Sequence, residues 1–443
     1  MSAAPCPTPP CPTPPPRLAA PLRRGSRVLV AALAANAMGH SFVLISLPAL
    51  GREMGFGDVQ TGALLSVSAL VLSVSAPAWG SWSDARGRRR VLILGLVAAA
   101  LFPALLAIVA HARLSLAMPA SLAFAVLLGG RLAQAAGAGA LMPTAQAYLA
   151  DITSAEGRAS GMGLMGAAFG VGTLAGSALA LGLGGDGMGI ALGVITFVIA
   201  LAAWGAWRAL PEPPRVPLAK TPADFREIAG KIAPFLLLTV CGLAVYGVIQ
   251  QVTVLRLQDG FGLGGDASVR VSGGLMMVTM LAMILTQGMI VRRLACPPGR
   301  LLRLGTLGVV VALLLSLAPL GLAGLALAMG GLGAALGLAL PGNLAALSVR
   351  AGPGAQGRAA GLNGLAQGAG MAAGPLLGAT LHQVSPLAPY AAAAGIMVIG
   401  GIVVWIATRR GCSPDAPACS PCGRAEAGRS CTDETSQSEE VSS

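Results

Sequence analysis

The sequence predicts an all-α integral membrane protein with twelve transmembrane helices, arranged as two six-helix bundles around a central cavity. Hydrophobic residues make up 55% of the 443 residues, and the mean hydropathy is +0.76. Apolar runs of about 20 residues, the length that crosses a bilayer as a helix, recur along the chain. Six runs lie on each side of a proline-rich polar segment, which divides the predicted spans into two halves.

A hydropathy window of about 19 residues places the spans in order. The first half holds runs at 28–50, 59–80, 91–110, 120–148, 160–183 and 188–207. The second half holds runs at 232–255, 271–291, 302–321, 323–347, 359–381 and 387–408. We therefore expect one six-helix bundle over 28–207, a cytoplasmic linker over 208–231 and a second bundle over 232–408.

Both ends of the chain are predicted to be disordered. Residues 1–27 form a proline-rich leader, and residues 409–443 form a tail that ends in a polar, acidic stretch. The first apolar run lacks a small-residue cleavage site, so we expect it to be retained as a helix. The tail contains Cys419-x-x-Cys422 but no second such pair, and no metal site is predicted there.

Positive charge indicates the orientation in the membrane. The formal net charge is +12, and all but five of the 29 lysines and arginines fall in loops and tails on the side of the termini. The exceptions are Arg52, Arg113, Arg131, Arg256 and Arg270. Positive residues accumulate in cytoplasmic loops, so we expect cytoplasmic termini and a bacterial inner membrane. No basic face combines with aromatic residues, which argues against nucleic-acid binding.

The first loop on that side concentrates charge in a short segment. It contains Gly80-x-Trp82-Ser83-Asp84-x-x-Gly87-Arg88-Arg89-Arg90, although only 10% of the chain is charged. Anchoring to anionic headgroups explains the arginines, but it explains neither the aspartate nor the two glycines. The segment resembles the signature loop of the major facilitator superfamily. The resemblance implies two bundles that rock about a midplane cavity. It also implies a latch in which Asp84 pairs with arginine and faces the start of the eleventh span.

Matching glycine patterns occur in the two halves. The fifth span contains Gly163, Gly172 and Gly176, and the eleventh contains Gly361, Gly370 and Gly374 with Pro375 and Gly378. Parallel six-helix repeats are one architecture of secondary transporters. Small residues let helix backbones approach closely, so these positions are predicted to pack helices together.

A charged residue lies within the fourth span. The pattern Arg131-x-x-Gln134-x-x-Gly137-x-Gly139 is similar to the motif of the drug:proton antiporter branch, in which the arginine is associated with proton coupling. A charge inside the bilayer is expensive and marks function; the alternative is an arginine extended towards the outer interface. His40 is the second candidate for proton coupling because imidazole titrates near neutral pH. The alternative for His40 is a hydrogen-bonded packing residue.

Polar pairs three or four residues apart occur in four spans, and such pairs share one helix face. They are Asn36 with His40, Arg131 with Gln134, Tyr246 with Gln250, and Asn363 with Gln367. These pairs predict a substrate cavity. Ordinary hydrogen bonding between helices is the alternative for each pair.

Together these features predict a monomeric exporter of a small amphipathic organic compound, such as a drug, a siderophore or a metabolite. Transport would be driven by proton antiport without a cofactor, with substrate, protons and membrane lipid as the partners. One alternative is a proton-coupled symporter that imports a sugar or an organic acid. Another is a transporter-shaped sensor or assembly factor. An enzyme is not expected, because no nucleophile, metal or phosphate-loop constellation appears.

Overall fold

The computed structural model describes residues 20–152, 158–185, 187–213, 225–291, 293, 297–352 and 355–409. Helices α1 to α7 are Ala20–Glu53, Asp58–Arg86, Arg88–Ser115, Ala120–Ala138, Leu141–Ile152, Arg158–Leu183 and Met188–Ala209. Helices α8 to α13 are Phe225–Phe261, Gly265–Leu285, Pro298–Leu315, Gly321–Ala351, Gln356–His382 and Ala388–Arg409. The predictions for residues 1–19, 214–224 and 410–443 lie outside the described residues.

The described helices form twelve spans. Helices α4 and α5 together make the fourth span, and they are separated where Pro143 has no amide hydrogen to bond Gly139 one turn earlier. A π-helical turn, Thr286–Val291, extends α9 to complete the eighth span. In lipid every backbone polar group must be bonded within the protein, which helices achieve locally. The all-helical fold predicted from hydropathy is confirmed in the described part of the chain.

Eleven of the described helical spans are long and apolar enough to cross a membrane. The remaining predicted span is α12, a regular helix of 27 residues. Its glycines and polar side chains, among them Asn363 and Gln367, lower its hydropathy. Helix α12 nevertheless packs against α8 of its own half and against α2 of the other half. Protein therefore covers part of the surface of α12.

Helix α6 packs closely on α1 through two glycines. A Cβ atom on Gly172 would clash with the carbonyl oxygen of Ala34, and one on Gly176 would clash with the carbonyl oxygen of Met38. The backbones of the two helices are therefore in direct contact, which only glycine permits. Gly163, nearer the start of the same helix, has no atom within 4 Å of its Cβ position, so it does not pack in this way.

Helix α12 packs on α8 in the same manner in the second half. A Cβ on Gly370 would lie 2.5 Å from the carbonyl oxygen of Val240, and one on Gly374 would lie 2.5 Å from that of Ala244. The same four-residue spacing thus serves equivalent helices of both halves. Gly378, one turn further along, lies against Val248 and Val252.

Replacing Gly176 with leucine is expected to lower the thermal stability of the purified protein by several degrees, because α6 must move away from α1. Overpacking a tight contact costs about 1–3 kcal/mol. Gly163→Leu is the matched control on the same helix, since space is open at that position. The measurement is the melting temperature in detergent by size-exclusion chromatography. Equal melting temperatures for the two variants would contradict this account of the helix contact.

The two halves meet towards one end of the molecule. We call the end that carries Ala20 and Arg409 the proximal end, and the opposite end the distal end. Near the distal end, a Cβ on Gly62 of α2 would lie 2.7 Å from the Cβ of Ala379 of α12. One turn deeper, the backbone amide of Leu376 donates a hydrogen bond of 2.9 Å to the hydroxyl of Ser66. Helices α2 and α12 therefore close the distal end.

Towards the proximal end, α2 and α12 separate. Their close contact persists to Gly368, where a Cβ would clash with the hydroxyl of Ser73. Beyond it, Gly364 and Gly361 have no atom within 4 Å of their Cβ positions, and both are exposed. The gap between the halves is therefore open at the proximal end along this pair of helices.

Helices α6 and α9 show the same progression. A Cβ on Gly273 of α9 would lie 2.8 Å from the carbonyl oxygen of Ser177 of α6, which is tight backbone contact. At Gly170 the nearest partner is the side chain of Ile284 at 3.7 Å, and at Gly163 there is open space. Both interfaces between the halves thus close distally and open proximally.

Candidate functional site

Arg131 lies inside the first bundle rather than at its surface. Its side chain is 6% exposed, and its guanidinium carbon lies 4.8 Å from the centroid of the Phe102 ring. One guanidinium nitrogen, Nη1, donates a hydrogen bond of 2.9 Å to Oε1 of Gln134, one helical turn away on α4. The buried Nε has no hydrogen-bond partner in the described residues. An arginine extended to the outer interface does not fit this burial.

Asn36 and His40 lie one turn apart on α1, and both are half-buried. The imidazole of His40 is within electrostatic range of the Arg131 guanidinium. The charge of Arg131 therefore acts on His40 across two different spans. Gln134 is half-buried on α4, where it accepts the hydrogen bond from Arg131.

The polar pairs of the second half differ in their surroundings. Tyr246 is half-buried on α8. Gln250 is buried, and its side-chain oxygen Oε1 has no hydrogen-bond partner among the described residues. Asn363 is also buried, and its side-chain oxygen accepts a hydrogen bond of 2.7 Å from the hydroxyl of Thr239. Gln367 is exposed. Of these residues, Asn363 thus lies in a contact between α12 and α8.

The predicted latch loop connects α2 and α3 at the proximal end. Asp84 is half-exposed and pairs with Arg88, one turn away. Arg88 is largely buried, and its Nε lies 3.1 Å from the Oδ2 atom of Asp151, at the end of α5. A Cβ atom on Gly80 would lie 3.9 Å from the Cβ of Pro143 on α5. The loop therefore joins α2, α3 and α5 of the first bundle.

A glutamate of the linker completes the loop. The backbone amides of Arg88 and Arg89 donate hydrogen bonds of 2.6 and 3.1 Å to the carboxylate of Glu212. This is a negative charge at the start of α3, where the helix dipole favours one. Gly87 has φ +101° and lies against that carboxylate. Sequence reasoning missed Glu212; an isolated acid among prolines, in an otherwise basic region, was the available signal.

An ion-pair network that we call the distal clamp joins the two halves at the distal end. The guanidinium of Arg52 binds both oxygens of Asp58 at 2.7 Å. The same guanidinium binds both oxygens of Asp259 at 2.8 and 2.7 Å and the side chain of Gln258 at 2.9 Å. Nε2 of His382 lies 2.8 Å from Asp259. Helices α1 and α2 are thereby tied to α8 and α12.

Sequence reasoning also missed the distal clamp. The available signal was Arg52 itself, one of the few basic residues on the side opposite the termini. Two acids and a histidine, Asp58, Asp259 and His382, come close enough there to hold a metal ion. The Arg52 guanidinium already supplies the positive charge between the two carboxylates, so the arrangement is explained as an ion pair.

The sequence profile described as Major Facilitator Superfamily matches residues 29–367. The chain belongs to the major facilitator superfamily. Its fold agrees with that of the human organic anion transporter MFSD10 (TETRAN), at a TM-score of 0.64 and 20% identity, with 87% of this chain and 100% of that chain covered. The fold also agrees with that of a bacterial homologue of the human lysosomal transporter Spinster, which was solved in an inward-facing and unoccupied conformation. The TM-score is 0.66 at 17% identity, with 88% of this chain and 97% of that chain covered.

Among curated superfamily members, the tetracycline resistance protein of class E from Escherichia coli is 38% identical to this chain over 144 residues. The matched segment covers 32% of this chain and 32% of that protein. This chain thus spans about a third of the length of such relatives. The superfamily assignment confirms the predicted fold, and the superfamily consists of membrane transporters rather than enzymes.

Proposed function

We propose that this transporter exports a small amphipathic organic compound in exchange for protons, by alternating access between two orientations of its bundles. The observation that carries the proposal is the buried Arg131, which stacks on Phe102 and bonds Gln134 inside the fourth span. A buried charge that acts on a titratable group, here His40, is what coupling to protons requires, because it changes how readily that group binds a proton. The partial likeness to tetracycline resistance proteins supports export.

The charge distribution supports an inward-facing state. Lysines and arginines outside the spans accumulate in the loops and tails of the proximal end, which marks the cytoplasmic side. The gap between the halves is open at that end. A solute would therefore enter from the cytoplasm of a bacterial cell, with the distal clamp holding the outer side closed. Both termini would lie in the cytoplasm.

The gap offers few polar groups on largely apolar walls. In this proposal Asn36, His40, Gln134, Tyr246 and Gln367 supply the polar contacts, since none of them is fully buried, and most of the remaining side chains of the helices are aliphatic. Pockets of this kind bind ligands with a large apolar body, and a few polar groups orient the ligand. An amphipathic compound fits this chemistry better than a sugar, which would need more hydrogen-bonding groups.

The test uses everted membrane vesicles with tetracycline and other amphipathic drugs as probes. Under an imposed pH gradient we expect the drug to be taken up into the vesicles and the drug to dissipate part of the pH gradient. A protonophore should stop both. Vesicles from cells that carry the empty vector are the control. Uptake that persists after the gradient collapses would contradict antiport, and accumulation in right-side-out vesicles would favour the symport alternative. Absence of flux for the whole panel in both orientations would favour a sensor.

A further inference from the structure

A groove of about 440 Å³ lies between α3 and α7 on the outer face of the first bundle. Its walls include Ile93, Val97 and Leu101 from α3, with Ala200, Trp204 and Trp207 from α7. The lining is almost wholly apolar. Its polar side-chain groups are the hydroxyl of Thr196, which donates to the carbonyl oxygen of Leu192 at 2.8 Å, and the indole N–H groups of Trp204 and Trp207. The groove therefore offers few hydrogen-bonding groups to a polar solute.

The groove has the depth of one membrane leaflet. On α3 it extends from Ile93 to Ala104, and on α7 from Trp207 to Thr196. At a rise of about 1.5 Å per residue, each wall is roughly 16 Å long. The hydrocarbon core of a bilayer is about 30 Å thick, so one leaflet contributes about 15 Å. The groove thus begins near the proximal surface and ends near the middle of the membrane.

Large side chains form the rims and small ones form the floor. The exposed fractions are 63% for Leu101 and 54% for both Trp204 and Trp207, whereas Ala100 and Ala203 are buried. In a membrane-spanning bundle such exposed rims face lipid. A continuous furrow with a smooth floor matches a flexible hydrocarbon chain, which gains contacts on three sides there.

Positive charge surrounds the proximal mouth of the groove. Arg208 is exposed, and its guanidinium carbon lies 5.5 and 5.4 Å from the ring centroids of Trp204 and Trp207. Arg90 is exposed one turn before Ile93, on the side of α3 that forms the wall. None of the residues that line the groove is acidic. The carboxylate of Glu212, nearby in sequence, accepts hydrogen bonds from backbone amides of the latch loop.

We propose that this groove is a binding site for an anionic phospholipid of the proximal leaflet. One acyl chain occupies the furrow between α3 and α7, and the headgroup phosphate contacts Arg90 and Arg208. The apolar lining, the length of one leaflet and the paired arginines at the mouth all fit that ligand. Because α3 begins at the latch loop, a bound lipid would brace this loop from the outside of the bundle.

The experiment uses the full chain reconstituted into vesicles and measures quenching of tryptophan fluorescence by brominated lipids. Trp79, Trp82 and Trp405 are replaced with phenylalanine so that Trp204 and Trp207 report on the groove. Brominated phosphatidylglycerol is compared with brominated phosphatidylcholine at matched mole fractions. An arginine near the surface attracts an anionic headgroup by about 1 kcal/mol, or about fivefold in affinity. With two arginines at the mouth, we therefore expect about 25-fold stronger binding of phosphatidylglycerol.

Four substitutions distinguish a specific lipid site from a general lipid surface. Arg90→Gln and Arg208→Gln should each reduce the preference for phosphatidylglycerol by about fivefold. Arg350→Gln, at another exposed proximal arginine, should leave it unchanged. Ala200→Phe fills the groove and should weaken quenching by both lipids.

Other results would overturn the proposal. Equal quenching by the two lipids, or a preference that survives both arginine changes, would show a nonspecific surface. Protection of Trp204 and Trp207 from both lipids would show that a protein segment covers the groove. If the tryptophan replacements prevent folding, native mass spectrometry of the unaltered chain gives the same comparison. Retention of phosphatidylglycerol must then fall in Arg90→Gln and Arg208→Gln but not in Arg350→Gln.

Discussion

Replacing Asp84 with asparagine is expected to abolish transport while the protein remains folded in the membrane. In the described state Asp84 is half-exposed and pairs with Arg88, and such exposed pairs contribute at most about 1 kcal/mol to stability. The inward-facing state therefore loses little. In the outward-facing state we propose that Asp84 faces the start of α12, where a carboxylate gains up to about 2 kcal/mol from the helix dipole. The substitution should remove that gain and trap the protein inward-facing.

A substitution in the distal clamp should shift the conformational equilibrium towards the outward-facing state. Asp259→Asn removes the negative charge that Arg52 and His382 share in the distal clamp. The inward-facing state then loses a contact between its halves, and the population should move towards the outward-facing state. Asp266→Asn is the matched control, because Asp266 is an exposed carboxylate at the same end but outside the clamp.

Both shifts are measured with one reporter. Gly361 is exposed in the open gap. The eight native cysteines are first replaced, and Gly361→Cys then reports on opening at the proximal end. A membrane-impermeant maleimide should label it faster in Asp84→Asn and more slowly in Asp259→Asn. Combining the two changes should bring the rate back towards that of the parent. Unchanged labelling in both single variants would rule out the latch and the clamp as elements that set the equilibrium.

The spans could be predicted because the bilayer imposes a length and an apolar composition on every crossing. The break between α4 and α5 follows from Pro143, which is visible in the sequence. The distal clamp could not be predicted in this way, because Arg52 and Asp259 are separated by 207 residues. Such a pairing depends on how two bundles dock, and local spacing carries no information about docking.

Spacing along a helix also leaves the neighbours of a side chain undetermined. Asn363 and Gln367 are one turn apart, and the sequence assigns them to one face. In the structure Asn363 is buried and bonded to Thr239, whereas Gln367 is exposed. Asn363 lies two helical turns before Gly370, on the same line of α12, and this line is the one that packs on α8. Gln367 lies to one side of that line and is therefore left exposed.

Arg131→Ala is expected to eliminate proton-coupled transport without loss of expression. The change removes the charge that lies near His40, so a proton bound there is no longer influenced by a positive neighbour. Gln134 loses its partner but is only half-buried, and water in the gap can replace the hydrogen bond. The fold should therefore persist. The measurements are drug uptake and substrate-induced proton release in everted vesicles, together with the yield of folded protein.

Arg131→Lys should retain part of the activity, about tenfold below the parent. Lysine keeps the positive charge but lacks the planar guanidinium that stacks on Phe102 while bonding Gln134.

Arg256 offers a matched control, because it is equally buried and its guanidinium carbon lies 4.6 Å from the centroid of the Tyr390 ring, in the second bundle. Arg256→Lys should leave proton release per transported drug unchanged. If Arg131→Ala and Arg131→Lys both transport with normal proton release, the coupling charge must lie elsewhere. If Arg256→Lys alters proton release as Arg131→Lys does, the effect reflects the loss of any buried arginine.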